Sequence, residues 1–185
     1  ANILLKLHMD PNGACYRKQL VDYITDPENR VFSEADVYHN LIMDLFRSGD
    51  HDAAIKVCDF ALDRAPKNMD LLADAIKACG DSSQFDLGET YLAKANDIPR
   101  KHWSWRLFLY GVDFLHTKLK AYPDSEELFT RAYNLAKEYV QFFPTDEHGY
   151  HQQAEILISV NRRDDAMNDL YRFITERQGN ATLIC

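Results

Sequence analysis

The chain has 185 residues, 46% apolar and 27% charged, a balance that excludes a disordered chain and suits one domain with a substantial core. Its formal charge of −8 opposes non-specific binding to a phosphate backbone, and its nearest basic groups, Arg100-Lys101 and Arg162-Arg163, are pairs rather than patches. Nucleic acid is therefore not an expected partner, and neither is a membrane, because no run approaches the roughly 18 apolar residues of a span.

Residues 1–33 read as a helical lead-in or broken repeat, with 14–25 as a second helix of that unit. Pro27, Pro66, Pro99 and Pro144 each follow a helix-like run, where a ring without an N–H stops the helix. The first three intervals between them, 39, 33 and 45 residues, have the period of a repeat array. Each interval holds two helical patterns. In the first, Ser33 to Asp36 is a capping-box variant, Tyr38, Leu41, Ile42 and Leu45 recur at helical spacing, and Arg47-Ser-Gly-Asp50 stops and restarts the helix. Ala54, Val57, Cys58, Ala61 and Leu62 then form a second stripe. The next unit runs from Leu72 to Cys79, through the turn Gly80-Asp-Ser-Ser83, to Gly88, Tyr91, Leu92 and Ala95. A third has an aromatic helix (Trp103, Trp105, Phe108, Leu109, Val112, Leu115), a connection over Lys120 to Ser125, and a second helix through Leu128, Ala132, Leu135, Ala136 and Tyr139. A fourth uses Tyr150, Ala154 and Leu157, the turn Asn161 to Asp164, then Ala166, Leu170 and Phe173. The acids of Asp124-Ser-Glu-Glu127 and Asp164-Asp165 fall at helix starts, where they complement the helix dipole.

Residues 35–68 resemble a tetratricopeptide repeat through Tyr38, Leu41, Ala54, Ala61 and Pro66. Residues 147–178 are similar through Tyr150, Ala154, Leu157, Ala166, Leu170 and Phe173. The two middle units are degenerate, the third carrying about eleven extra residues between its helices. The likeness spans about residues 34–177. It implies an all-α fold, an α-solenoid of about four antiparallel helical hairpins wound as a right-handed superhelix over residues 34–178, with 179–185 a truncated tail. Small side chains at Ala54, Gly88, Ala132 and Ala166 would let the helices of each pair cross closely. The resemblance also implies a protein- or peptide-binding scaffold rather than an enzyme.

In such an array the first helices line a concave face. The residues expected there are Asp36, His39, Asn40 and Met43 in the first unit and Asp70, Asp74 and Lys77 in the second. Trp103, Arg106 and Tyr110 follow in the third, then His148, His151, Gln152 and Glu155 in the fourth. Some tetratricopeptide adaptors grip a C-terminal carboxylate with Lys and Asn. Here His39, Met43 and Asp74 stand at three of those positions, so a basic or aromatic peptide suits the face better.

Gly-rich phosphate loops, nucleophile elbows and H-E-x-x-H are absent, and no cofactor is expected. The one metal candidate is His148, His151 and Glu155, spaced to share a helix face, which gives the alternative of a ligand- or metal-responsive regulatory domain. A noncatalytic segment of a larger enzyme is a further alternative. Cys15, Cys58, Cys79 and Cys185 include no close pair and read as reduced thiols, Asn180-Ala-Thr182 reads as a chance glycosylation match, and a cytoplasmic setting is expected. The start at Ala and the end at Leu-Ile-Cys suggest an excised fragment.

Overall fold

The computed structural model describes residues 34–181. The lead-in at 1–33 with Cys15, Pro27 and Ser33, the side chain of Asp36, and residues 182–185 with Cys185 lie outside the described residues. Among the described residues there are eight α-helices and no strand. They pair as hairpins in chain order: α1 Glu34–Ser48 with α2 His51–Arg64, and α3 Met69–Asp81 with α4 Phe85–Asn96. A 3-10 turn, Arg100–His102, then precedes α5 Trp105–Ala121 with α6 Glu126–Phe142, and α7 Glu147–Ser159 with α8 Arg163–Ala181. The chain divides into two compact units, Ala1–Ile98 and Pro99–Cys185, so each contains two of these hairpins. No described helix is long and apolar enough to cross a membrane.

Three hairpins turn by one device. Gly49, Ser83 and Asn161 occupy equivalent positions and all adopt the left-handed region, at φ 76, 58 and 62 degrees. The next residue closes the turn onto the carbonyl five residues back: Asp50 to Leu45 at 3.0 Å, Gln84 to Cys79 at 2.9 Å, and Arg162 to Leu157 at 2.8 Å. These bonds satisfy carbonyls that the helix end would otherwise leave bare. Asp50 also caps α2 by accepting from the Ala53 N–H at 3.1 Å. The links between hairpins repeat as well. Ala65-Pro66-Lys67-Asn68 and Phe143-Pro144-Thr145-Asp146 each carry proline second and a capping Asn or Asp fourth, and each closes with a 3.0 Å backbone bond.

The third hairpin differs. Its connection is only residues 122–125, with Ser125 capping α6 through the Leu128 N–H at 3.3 Å. The extra length lies in the helices rather than between them, since α5 and α6 run 17 residues each against 13 and 12 in α3 and α4. The aromatic residues at its start are also rearranged. Ser104 is the N-cap, so α5 begins at Trp105, whose side chain is exposed, while Trp103 precedes the helix and is buried. Trp103 packs 5.0 Å from the Phe108 ring, and the Arg100 guanidinium lies 3.7 Å over its face. The helix therefore starts two residues later than the aromatic run suggests, which exchanges the roles of the two indoles.

The crossing positions are occupied by small residues, as the repeat pattern requires. Ala54 and Ala132 are 0% exposed and Ala166 2%, and Gly88 is buried. Gly149 adds a close approach of α7 to α6, where a Cβ would meet Val140 Cγ2 at 3.0 Å and the Tyr139 ring at 3.4 Å. Cys58 and Cys79 are free, fully buried thiols. Burial, assisted by Asp74, raises Cys58 well above its ordinary pKa, and burial pushes Cys79 up to about 12. Both act as small apolar fillers.

An indole forced into either crossing has no space to occupy. Ala54→Trp in the first unit and Ala166→Trp in the second should each lower stability by at least about 1–3 kcal/mol, measured by denaturant or thermal unfolding. An unchanged transition for either variant would contradict the close crossing.

Candidate functional site

The first helices of each unit carry the polar side chains that the core does not take, but the structure divides them more finely than helical spacing does. In the first unit, Asn40 and Asp70 are exposed, and His39, Met43 and Lys77 are half-buried. Asp74 is 0% exposed and does not face solvent. Its Oδ2 lies 2.9 Å from His39 Nδ1, so α1 covers this carboxylate and ties it to α3. Lys77 pairs with Asp81 at 2.9 Å and lies 5.8 Å from the Phe46 ring.

In the second unit, Arg106 and Tyr110 are half-buried on α5, with the guanidinium 5.7 Å from the phenol ring. Trp103 is not on this face, as shown above. On α7, His148, His151 and Glu155 are exposed, whereas Gln152 is only 4% exposed. Gln152 reaches across to α5, donating from Nε2 to the Leu109 carbonyl at 3.0 Å and to Asp113 Oδ1 at 2.6 Å. Because both partners are acceptors, the amide orientation is fixed and Oε1 points elsewhere, buried and without a hydrogen bond. Asp74 and Gln152 thus join neighbouring first helices instead of lining a face, because each has a polar partner near enough to replace its hydration.

One helical turn further along, His116 is 5% exposed on α5, with Nδ1 4.0 Å from Glu155 Oε2 and with Nε2 buried and without a hydrogen bond. Burial pushes its pKa down to about 4, Lys120 adds to the fall, and Glu155 opposes it. The ring is neutral at pH 7, so this contact is not an ion pair. Asp113 and His116 were not among the residues expected on this face. Continuing the Arg106, Tyr110 spacing by three residues, and then three more, would have reached both.

The metal candidate is not assembled. His148 Nδ1 turns to Asp146 Oδ1 at 2.8 Å, while His151 Nδ1 lies 3.8 Å from Glu155 Oε1. Among the described residues no group of three His, Cys, Asp or Glu side chains is arranged to hold a metal ion. Asp146 is the N-cap of α7, accepting from the His148 N–H at 3.0 Å and from the Tyr139 hydroxyl at 2.5 Å. Burial alone would raise the Asp146 carboxyl. The hydrogen bonds from Tyr139 and His148 outweigh it and hold the group below its ordinary value.

No family model matches the sequence, and no curated protein matches it. Solved structures do match. MamA 41-end from Desulfovibrio magneticus RS-1 superposes with a TM-score of 0.63 at 12% identity, over 96% of this chain and 93% of that one. A MamA structure labelled AMB-1 gives 0.57 at 14% identity, over 100% and 94%. MamA is tetratricopeptide-like, and the chain has a tetratricopeptide-like fold of helical hairpins.

The His116 environment predicts an acid-sensitive second unit. A free imidazole titrates near 6.5, so between pH 6.5 and 4 the unfolded chain binds a proton that the folded chain excludes, and stability falls as pH falls through that window. From pH 7 to pH 4.5 the parent chain should lose roughly 2–3 kcal/mol more than His116→Phe, compared by denaturant unfolding at both pH values. Equal losses in the two proteins would refute the assignment.

Proposed function

We propose that the chain is a non-catalytic module that binds another protein through an extended peptide, taken on a first-helix face and selected for basic and aromatic side chains. The observation that carries this reading is the surface shared by α5 and α7. Asp113 and Glu155 are exposed there, a half-buried Tyr110 lies one turn before Asp113, and Gln152 anchors the two helices to each other. Two carboxylates on adjoining helices attract a Lys or Arg side chain, and an amphipathic ring beside them offers stacking surface to an aromatic or guanidinium group. Arg106, His148 and His151 stand around the same surface and set where a peptide's own acids are tolerated.

In the first unit, Asn40 and Asp70 are exposed and Met43 and Lys77 half-buried on the first helices. Asp74 is not among them, because its charge is spent on His39 within the protein. Since Gln152 ties α5 to α7, the face they share is held in shape before a peptide arrives, which reduces the ordering cost of binding. The net charge of −8 favours the same class of ligand through long-range attraction.

Selection of a random peptide library on the purified chain should enrich sequences carrying Lys or Arg next to Phe, Tyr or Trp. The affinity of a selected peptide should fall at least tenfold with Asp113→Lys plus Glu155→Lys, and should weaken with added salt. Glu126→Lys, on the second helix α6, should leave it unchanged. Enrichment of acidic peptides, or indifference to the double substitution, would overturn the reading.

A further inference from the structure

The seam between α5 and α7 holds two buried side-chain atoms without a hydrogen bond, and both are acceptors. Gln152 is 4% exposed and His116 5%. Both N–H groups of the Gln152 amide are used, on the Leu109 carbonyl at 3.0 Å and on Asp113 Oδ1 at 2.6 Å, which leaves Oε1 over. On His116, Nδ1 faces the Glu155 carboxylate at 4.0 Å, so the proton of the neutral ring belongs there. Nε2 is then a bare lone pair, buried and without a donor. His116 lies one turn beyond Asp113 on α5, and Glu155 one turn beyond Gln152 on α7, so the two pairs are successive rungs across one seam.

Folded proteins satisfy their buried polar atoms with few exceptions, and two orphans of one kind on adjoining rungs call for a donor. The charge of that donor is set by the rim. Asp113 and Glu155 are exposed carboxylates above the two acceptors, and they favour a cation over a neutral group such as water. Glu155 lies 4.0 Å from the His116 ring and 3.8 Å from that of His151, beyond hydrogen-bond length from both. With its side chain 48% exposed and bonded to neither ring, a turn of Glu155 admits a cation beside His116.

We propose that this seam binds an N–H-donating organic cation, the ammonium of a lysine or the guanidinium of an arginine. Asp113 and Glu155 supply the charge, and Gln152 Oε1 and His116 Nε2 are its neutral acceptors. The proposal rests on the peptide-binding reading of this face and adds a selection that carboxylates alone do not make. A quaternary ammonium carries the same charge but no donor, leaves both acceptors bare, and is rejected.

The test titrates n-butylammonium, n-butylguanidinium or tetramethylammonium chloride into the nitrogen-15-labelled whole chain at pH 7, read by NMR. In the free chain the His116 ring should be the Nδ1–H tautomer. The first two cations should give saturable shifts of the Asp113, His116, Gln152 and Glu155 amides at about millimolar concentration, a range that ligands this small reach. The tighter of the two names the side chain, lysine or arginine. His116 Nε2 should move upfield as its lone pair accepts a hydrogen bond. Tetramethylammonium at equal ionic strength should bind at least tenfold more weakly. His116→Phe and Gln152→Met, each shown to be folded by circular dichroism, keep both carboxylates and should weaken n-butylammonium at least fivefold. An Nε2–H tautomer, absence of binding, equal binding of tetramethylammonium, or indifference to both substitutions overturns the proposal. Binding lost only with Asp113→Lys plus Glu155→Lys leaves the peptide reading standing without this one. Donor-selective cation binding by a chain that enriches no basic peptide does the reverse.

Discussion

Side-chain volume at the helix crossings is the constraint on which the rest of this structure depends. Within each hairpin the second helix meets its partner at Ala54, Gly88, Ala132 or Ala166, all buried. A side chain larger than a methyl there would separate the axes and strip contacts from Tyr38, Tyr91 and Tyr139, which are the bulkiest fully buried groups. Close crossing also explains the inert cysteines, since Cys58 lies one turn beyond Ala54 and fills space that a longer side chain would exceed. Each hairpin then presents an apolar face that it cannot cover by itself, and stability comes from the neighbour that covers it.

Polar side chains tie neighbours together at nearly the repeat distance. His39 with Asp74 and Asp113 with Gln152 join first helices across separations of 35 and 39 residues. The Tyr91 hydroxyl donates to Asp59 and that of Tyr133 to Asp169, joining second helices across 32 and 36. Apolar packing tolerates sliding of one hairpin on the next, whereas a directional, partly buried hydrogen bond beside that packing does not, so these pairs specify register as much as they add stability. Burial and the acceptor carboxylates raise the Tyr91 and Tyr139 hydroxyls above their ordinary pKa, so both remain donors throughout the physiological range.

Those same pairs mark the limit of what helical spacing can reveal. The hairpins, their turns and their crossing residues were legible because each rests on a local rule. Period placed Tyr38, Leu41 and Ala54, while Gly49, Ser83 and Asn161 lie within the turns that their residue types announce. The polar first-helix face was harder to read, because whether a polar side chain faces solvent depends on a residue about 35 positions away. Asp74 and Asn40 look equally available along their own helices, yet Asp74 is buried against His39 and Asn40 is exposed. Trp103 and Trp105 were exchanged for a local reason, since Ser104 captures the Leu107 N–H at 3.3 Å and moves the helix start past Trp103.

Two surfaces among the described residues differ in their physics. On α5 and α7 the exposed groups are carboxylates and imidazoles around a half-buried ring, held on helices already joined by Gln152. Such a surface gains little apolar burial and discriminates through charge, which sets encounter rate and partner choice more than strength. On α8 the exposed groups are Met167, Tyr171 and Ile174, which discriminate poorly and gain free energy in proportion to the area removed from water.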